Sequence, residues 1–181
     1  LRPLRSYLER VCESVDKDYS EIGDRISIGN LTGEDAANAF YEPMVVEEIA
    51  LRSIYHELNA LIESELQCLV VIPLSKRNRI QNREEKRLAW DLKRGELTKL
   101  IERYYEIRID RLPEFERVEE IRQTVNAWKH RQGHKDPRRT AVITIDEKHQ
   151  IEREKAFASI DAVRSFLLAL WAEARTLPEE P

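Results

Sequence analysis

Apolar side chains recur at helical spacing along most of the chain, and each such run predicts an amphipathic helix. Leu4, Tyr7, Leu8, Val11 and Val15 place one apolar face on residues 4–19. A longer stripe passes through Leu51, Ile54, Tyr55, Leu58, Leu61, Ile62, Leu66 and Leu69. Pro43 suits the first position of that helix, Glu47 and Glu48 the positive end of its dipole, and Pro73 marks its end. Its opposite face carries Arg52, His56, Glu63 and Gln67, which are expected to be wet or to contact a partner.

After Gly95, Leu97, Leu100, Ile101 and Tyr104 repeat at the same spacing. Pro113 begins another segment, whose buried stripe is Val118, Ile121, Val125 and Trp128 and whose stop is Gly133. The last helix is expected over about 152–174, with Ala156, Ile160, Val163, Phe166, Leu167, Leu170 and Trp171 facing inward. Gly23 to Pro43 holds three of the five glycines and reads as a long connection with one helical turn at 36–41. Ile107 to Leu112 is ambiguous, Ala141 to Ile145 alternates weakly and predicts a short extended piece, and residues after Leu177 are expected to fray. The pattern predicts an all-α fold, a helical bundle of four to six helices. The bundle domain occupies 43–177, with an N-terminal helix and connecting segment at 1–42 packed on it.

Composition agrees with helices: charged residues make up 35 % of the 181, while glycines number five and prolines seven. A net charge of -4 argues against a surface coated with cations for non-specific nucleic-acid binding. No apolar run approaches the roughly 20 residues that span a bilayer, so no membrane contact is expected. Cys12 and Cys68 form no metal-type spacing and no disulfide framework, which suits a reducing, cytoplasmic setting. Residues 76–94 are a basic block, read either as a solvated face with internal ion pairs or as a phosphate-binding surface.

Candidate chemistry gathers between Arg122 and Arg139. Arg122, Asn126 and His130 are each four residues apart and share one side of a helix, away from the Val118/Ile121/Val125/Trp128 stripe. An imidazole exchanges protons near neutral pH, and a guanidinium holds phosphate and stabilises developing negative charge. His130, Arg131, Arg122 and His134 are therefore the parts available for metal-independent RNA cleavage, with Lys129, Lys135, Arg138 and Arg139 as phosphate contacts. A second reading is equally physical: Lys129, His130 and Arg131 occupy a helix's last turn, where cations complement the dipole. That reading leaves Asn126 unexplained, a mediocre helix former with no cap to make there. His130 and His134 are spaced as a metal pair, but no H-E-x-x-H pattern and no nearby cysteine completes a site. Neither metal nor cofactor is expected, and no nucleotide-binding glycine loop is present.

The run Arg122-Gln-Thr-Val-Asn126-Ala-Trp-Lys129-His130-Arg-Gln-Gly133 follows a long helix reading Tyr55-His-Glu-Leu58-Asn-Ala-Leu61-Ile62-Glu63. Together, over about residues 43–174, they resemble the HEPN superfamily, helical domains of prokaryotic toxin, defence and nucleotide-associated systems. The resemblance implies a bundle of four or more helices, a homodimer and, in the active branch, a metal-independent ribonuclease. It implies RNA as substrate and a nucleotidyltransferase-type antitoxin or a defence component as protein partner. The family motif sets an arginine, commonly followed by Asn, Asp or His, with four to six residues between it and a histidine. Here Asn126 and His130 match, but the arginine position falls at Val125. Arg122 has seven residues between it and His130, and Lys129 precedes His134 at the family spacing with lysine in place of arginine. Non-catalytic members of the superfamily make a homodimeric interaction or adaptor module the alternative to a ribonuclease.

Overall fold

The apolar stripes become helices and little else. The computed structural model describes residues 1–78, 90–131 and 151–176, with only the backbone path at 73–78 and at Arg131. Among the described residues there are five α-helices and no strand: α1 (Arg2–Ser27), α2 (Gly33–Asn78), α3 (Arg94–Tyr105), α4 (Phe115–Arg131) and α5 (Arg153–Thr176). A single 3-10 turn, Ile109–Arg111, resolves the ambiguous stretch before α4, and it buries Ile107, Ile109 and Leu112. The fold is all-α, as the periodicity predicts. The extended piece expected at 141–145 and the tail after Leu177 lie outside the described residues.

Several helix boundaries differ from the sequence expectation. The long connection predicted over 23–43 is instead mostly helix: α1 continues through Gly23 to Ser27, and α2 already begins at Gly33. The stop is Gly29, at φ +78, a left-handed conformation that glycine adopts without a Cβ clash. There the Gly29 N–H donates to the Ile26 carbonyl (3.0 Å) and the Asn30 N–H to the Arg25 carbonyl (2.9 Å). This pair of bonds is the Schellman arrangement, and it satisfies carbonyls that the helix end would orphan. The second difference concerns α2, which neither starts at Pro43 nor ends before Pro73 but runs through both. Helix α4 begins at Phe115, two residues past Pro113, after Glu114 has adopted a φ of 62.

The described residues fall into two compact units, 1–57 with 124–160 and 58–123 with 161–181. In the first unit, Leu8 and Val15 of α1 bury with Ile54 of α2, Val125 of α4 and Ile160 of α5. Arg153, at the first position of α5, donates to Asp16 of α1 (2.6 Å) and to Glu47 of α2. Ser159 donates to the buried Tyr55 hydroxyl (3.2 Å), and Tyr19 packs its ring on Phe40 (centroids 5.8 Å apart). In the second unit Leu58, Ile62, Leu66, Leu97, Ile101, Ile121, Phe166 and Leu170 are fully buried. The Tyr105 hydroxyl donates to the Leu69 carbonyl (2.9 Å) and the Trp171 indole to Glu65 (2.8 Å). Helix α3 starts cleanly because the Glu96 carboxylate accepts the Lys93 N–H (2.8 Å), satisfying a donor just ahead of the helix.

Candidate functional site

Helix α4 sorts the candidate residues by its 3.6-residue turn. Val118, Ile121, Val125 and Ala127 are buried, Thr124 is buried beside them, and Lys129 and His130 are exposed. Asn126 is half-buried. Trp128 is half-buried too, yet its indole N–H is shielded and finds no acceptor among the described residues. His134, Lys135, Arg138 and Arg139 lie outside the described residues, and of Arg131 only the backbone is described.

Arg122 is not a free cation. Its guanidinium donates through Nε to Glu119 (2.8 Å) and through a second nitrogen to the same carboxylate, which also accepts from Gln123 (3.3 Å). Burial alone would raise the Glu119 pKa, but the Arg122 hydrogen bonds and charge, with help from Gln123 and Arg94, hold it below the ordinary carboxylate value. Glu119 is therefore an anion, and it occupies the phosphate-binding face of Arg122. Arg94 stands in the same second-unit cluster, where burial lowers its pKa against the raising effect of Glu119. Buried Asn59 donates to Glu63 (3.0 Å), while its Oδ1 and the Arg94 Nη1 have no partner among the described residues. Arg122 thus belongs to a polar cluster of the second unit, whereas Asn126 and His130 belong to the first.

In the first unit a different group converges on α4. The Arg52 guanidinium lies over the Trp128 ring, 3.5 Å from its centroid, and bonds Glu48 one turn back on α2. The shielded Arg52 Nε, which has no acceptor, is accounted for by this stacking: the ring face takes the place of a hydrogen-bond partner. One turn further along α2, His56 is half-buried. Its pKa is lowered first by burial and then by the Lys129 ammonium, with Glu57 opposing. His56 is therefore a neutral imidazole at pH 7, within the field of a cation. Arg52 and His56 were legible as the polar face of α2, but nothing local in the sequence announces that Trp128 would meet Arg52 or that the Lys129 charge would act on His56.

No family model, curated protein or solved structure matches the chain. Its residues alone carry the functional argument. Among the described residues no cluster of three or more His, Cys, Asp or Glu could hold a metal ion. No described helix is long and apolar enough to cross a membrane. Burial raises the pKa of both the Cys12 and the Cys68 thiols, which leaves little thiolate for nucleophilic chemistry at neutral pH.

Proposed function

We propose that this chain is a non-catalytic helical interaction module, HEPN-like in its motif and directed at a protein partner in a toxin or defence setting. One observation carries the reading. Val125, at the position where the resembling family has its arginine, is only 1 % exposed and belongs to the core. Arg122, three residues before Val125, is already bound by Glu119. Oxyanion stabilisation during RNA cleavage needs a cation held against the phosphate, and neither position supplies one.

The test is direct. Purified chain and its His130→Ala variant are incubated with total RNA in EDTA. Background-level cleavage by both is expected, and cleavage that depends on His130 overturns the reading. A second reading, an RNA-directed HEPN-like ribonuclease, draws support from the exposed Lys129 and His130 and from His56, whose pKa burial and the Lys129 charge lower. It predicts that the same assay shows cleavage lost in both His56→Ala and His130→Ala.

A further inference from the structure

An open groove of about 390 Å³ lies between α1 and α2. Its apolar lining is Ile22 from α1 with Ala39, Pro43 and Val46 from α2, and Asp18, Glu21 and Glu42 line it as carboxylates alongside Arg25. Ile49 continues the strip on α2, since Glu42, Val46 and Ile49 stand at i, i+4 and i+7. Seven of the eleven large apolar side chains that are exposed among the described residues fall between Ile26 and Ile49. Ile28, Tyr41 and Ile49 are each more than half exposed. Such a concentration marks an interaction surface and not the scatter normal for a soluble domain.

Charge selects the occupant. From Glu13 to Glu48 the chain carries ten carboxylates against two cations, Lys17 and Arg25. Counting Arg52 and Arg153, which bind Glu48, Glu47 and Asp16, still leaves six carboxylates in excess. A phosphate backbone or an anionic bilayer is repelled by that field, and two copies of the same face repel each other. Ala39 and Pro43 both line the groove, and Pro43 has no N–H to give the carbonyl of Ala39 one turn back. A long cationic side chain can pair with the lining carboxylates while its methylene stem covers the apolar lining.

We propose that the α1–α2 groove binds a basic amphipathic helix of a partner protein, its apolar face on Ile22, Val46 and Ile49 and its lysines or arginines on Asp18, Glu21 and Glu42. This rests on the interaction-module reading and names the partner's chemistry. Helix-in-groove recognition of this kind reads apolar anchors at helical spacing, with flanking charges that set orientation.

The probe is a fluorescein-labelled Lys/Leu amphipathic peptide of about 18 residues, long enough to form a helix on binding. Its controls are the Glu-for-Lys version and a scrambled peptide of the same composition. Fluorescence anisotropy is expected to show saturable one-to-one binding, roughly tenfold tighter for the Lys/Leu helix than for the scrambled peptide. Affinity is expected to fall between about 50 mM and about 300 mM salt as the charges are screened. Glu42→Lys and Val46→Ser, both exposed positions, are each expected to weaken binding about tenfold with unchanged circular dichroism. Equal binding by wild type and both variants, equal binding of the Glu peptide, or a dimer that Tyr41→Ser with Ile49→Ser dissociates overturns the proposal. Failure here leaves the RNA assay untouched, and RNA cleavage there leaves the peptide result standing, so the two readings fail separately.

Discussion

Restoring the family arginine, as Val125→Arg, distinguishes a core position from a vacated catalytic one. Val125 is 1 % exposed, in the first unit whose core also contains Leu8, Val15 and Ile54. An arginine there adds volume to a close-packed region, which costs about 1–3 kcal/mol. An uncompensated buried charge costs a further 3–5 kcal/mol or so, reduced where the long side chain reaches toward water. A net loss of roughly 4–6 kcal/mol is expected, a large share of the 5–15 kcal/mol that holds a typical domain together. The melting temperature should fall by about 10–20 °C. Val125→Ala, which only opens a small cavity, should cost about 2 kcal/mol. Urea unfolding followed by circular dichroism measures both. A Val125→Arg protein within about 1 kcal/mol of wild type would refute the placement of this face of α4 in the core. If that folded variant also cleaved RNA in EDTA, the position would be a lost catalytic one and the interaction reading would fall with it.

Two further outcomes follow from the same helix. His56 has its folded pKa depressed below 6.5 by burial and by Lys129, so the unfolded chain takes up the proton first. Its contribution to stability is complete above pH 6.5 and is lost as pH falls through the folded pKa. Urea melts of His56→Gln between about pH 7.5 and about pH 5 should therefore show a shallower loss of stability than wild type. The Arg52–Trp128 stack should give a coupling of about 1 kcal/mol in a double-mutant cycle of Arg52→Met and Trp128→Leu, discounted from the fully desolvated case because Arg52 is partly exposed. Additive single-mutant losses would mean that the stacked geometry contributes nothing.

Helix existence and facing were legible because burial imposes a period. Ile54, Leu58, Ile62 and Leu66 are all fully buried, as their spacing predicts, and so are Val118, Ile121 and Val125. Helix ends were harder. A glycine gives the same local signal inside a helix as beyond its end, so Gly23 looked like the stop that Gly29 provides, and the bonds that distinguish them are made by backbone alone. Pro43 reads as a first-turn residue because proline usually stands there. Inside α2 it is buried instead, a setting that the sequence does not display. The division of the candidate site follows the same logic. His130 outward and Val125 inward come from one helix's geometry, whereas Arg52 on Trp128 and the Lys129 charge acting on His56 link distant segments. The Arg122–Glu119 pair is an i,i+3 neighbour and was visible in the sequence, but its consequence, a phosphate-binding face already filled, depends on the burial around it.

The bonds of Arg153 have a consequence for the order in which the chain assembles. Helices α1 and α2 are consecutive and joined by a tight reversal at Gly29, so their mutual contacts are among the most local in the first unit. The Arg153–Asp16 bond spans 137 residues of sequence, so the loop it closes is among the longest the chain makes. Because closing a loop costs more entropy as it lengthens, the hairpin is favoured to form early, with Asp16 and Glu47 as acceptors awaiting their donor. Arg153 then works as a latch that engages late, and weakening it should speed unfolding more than it slows refolding.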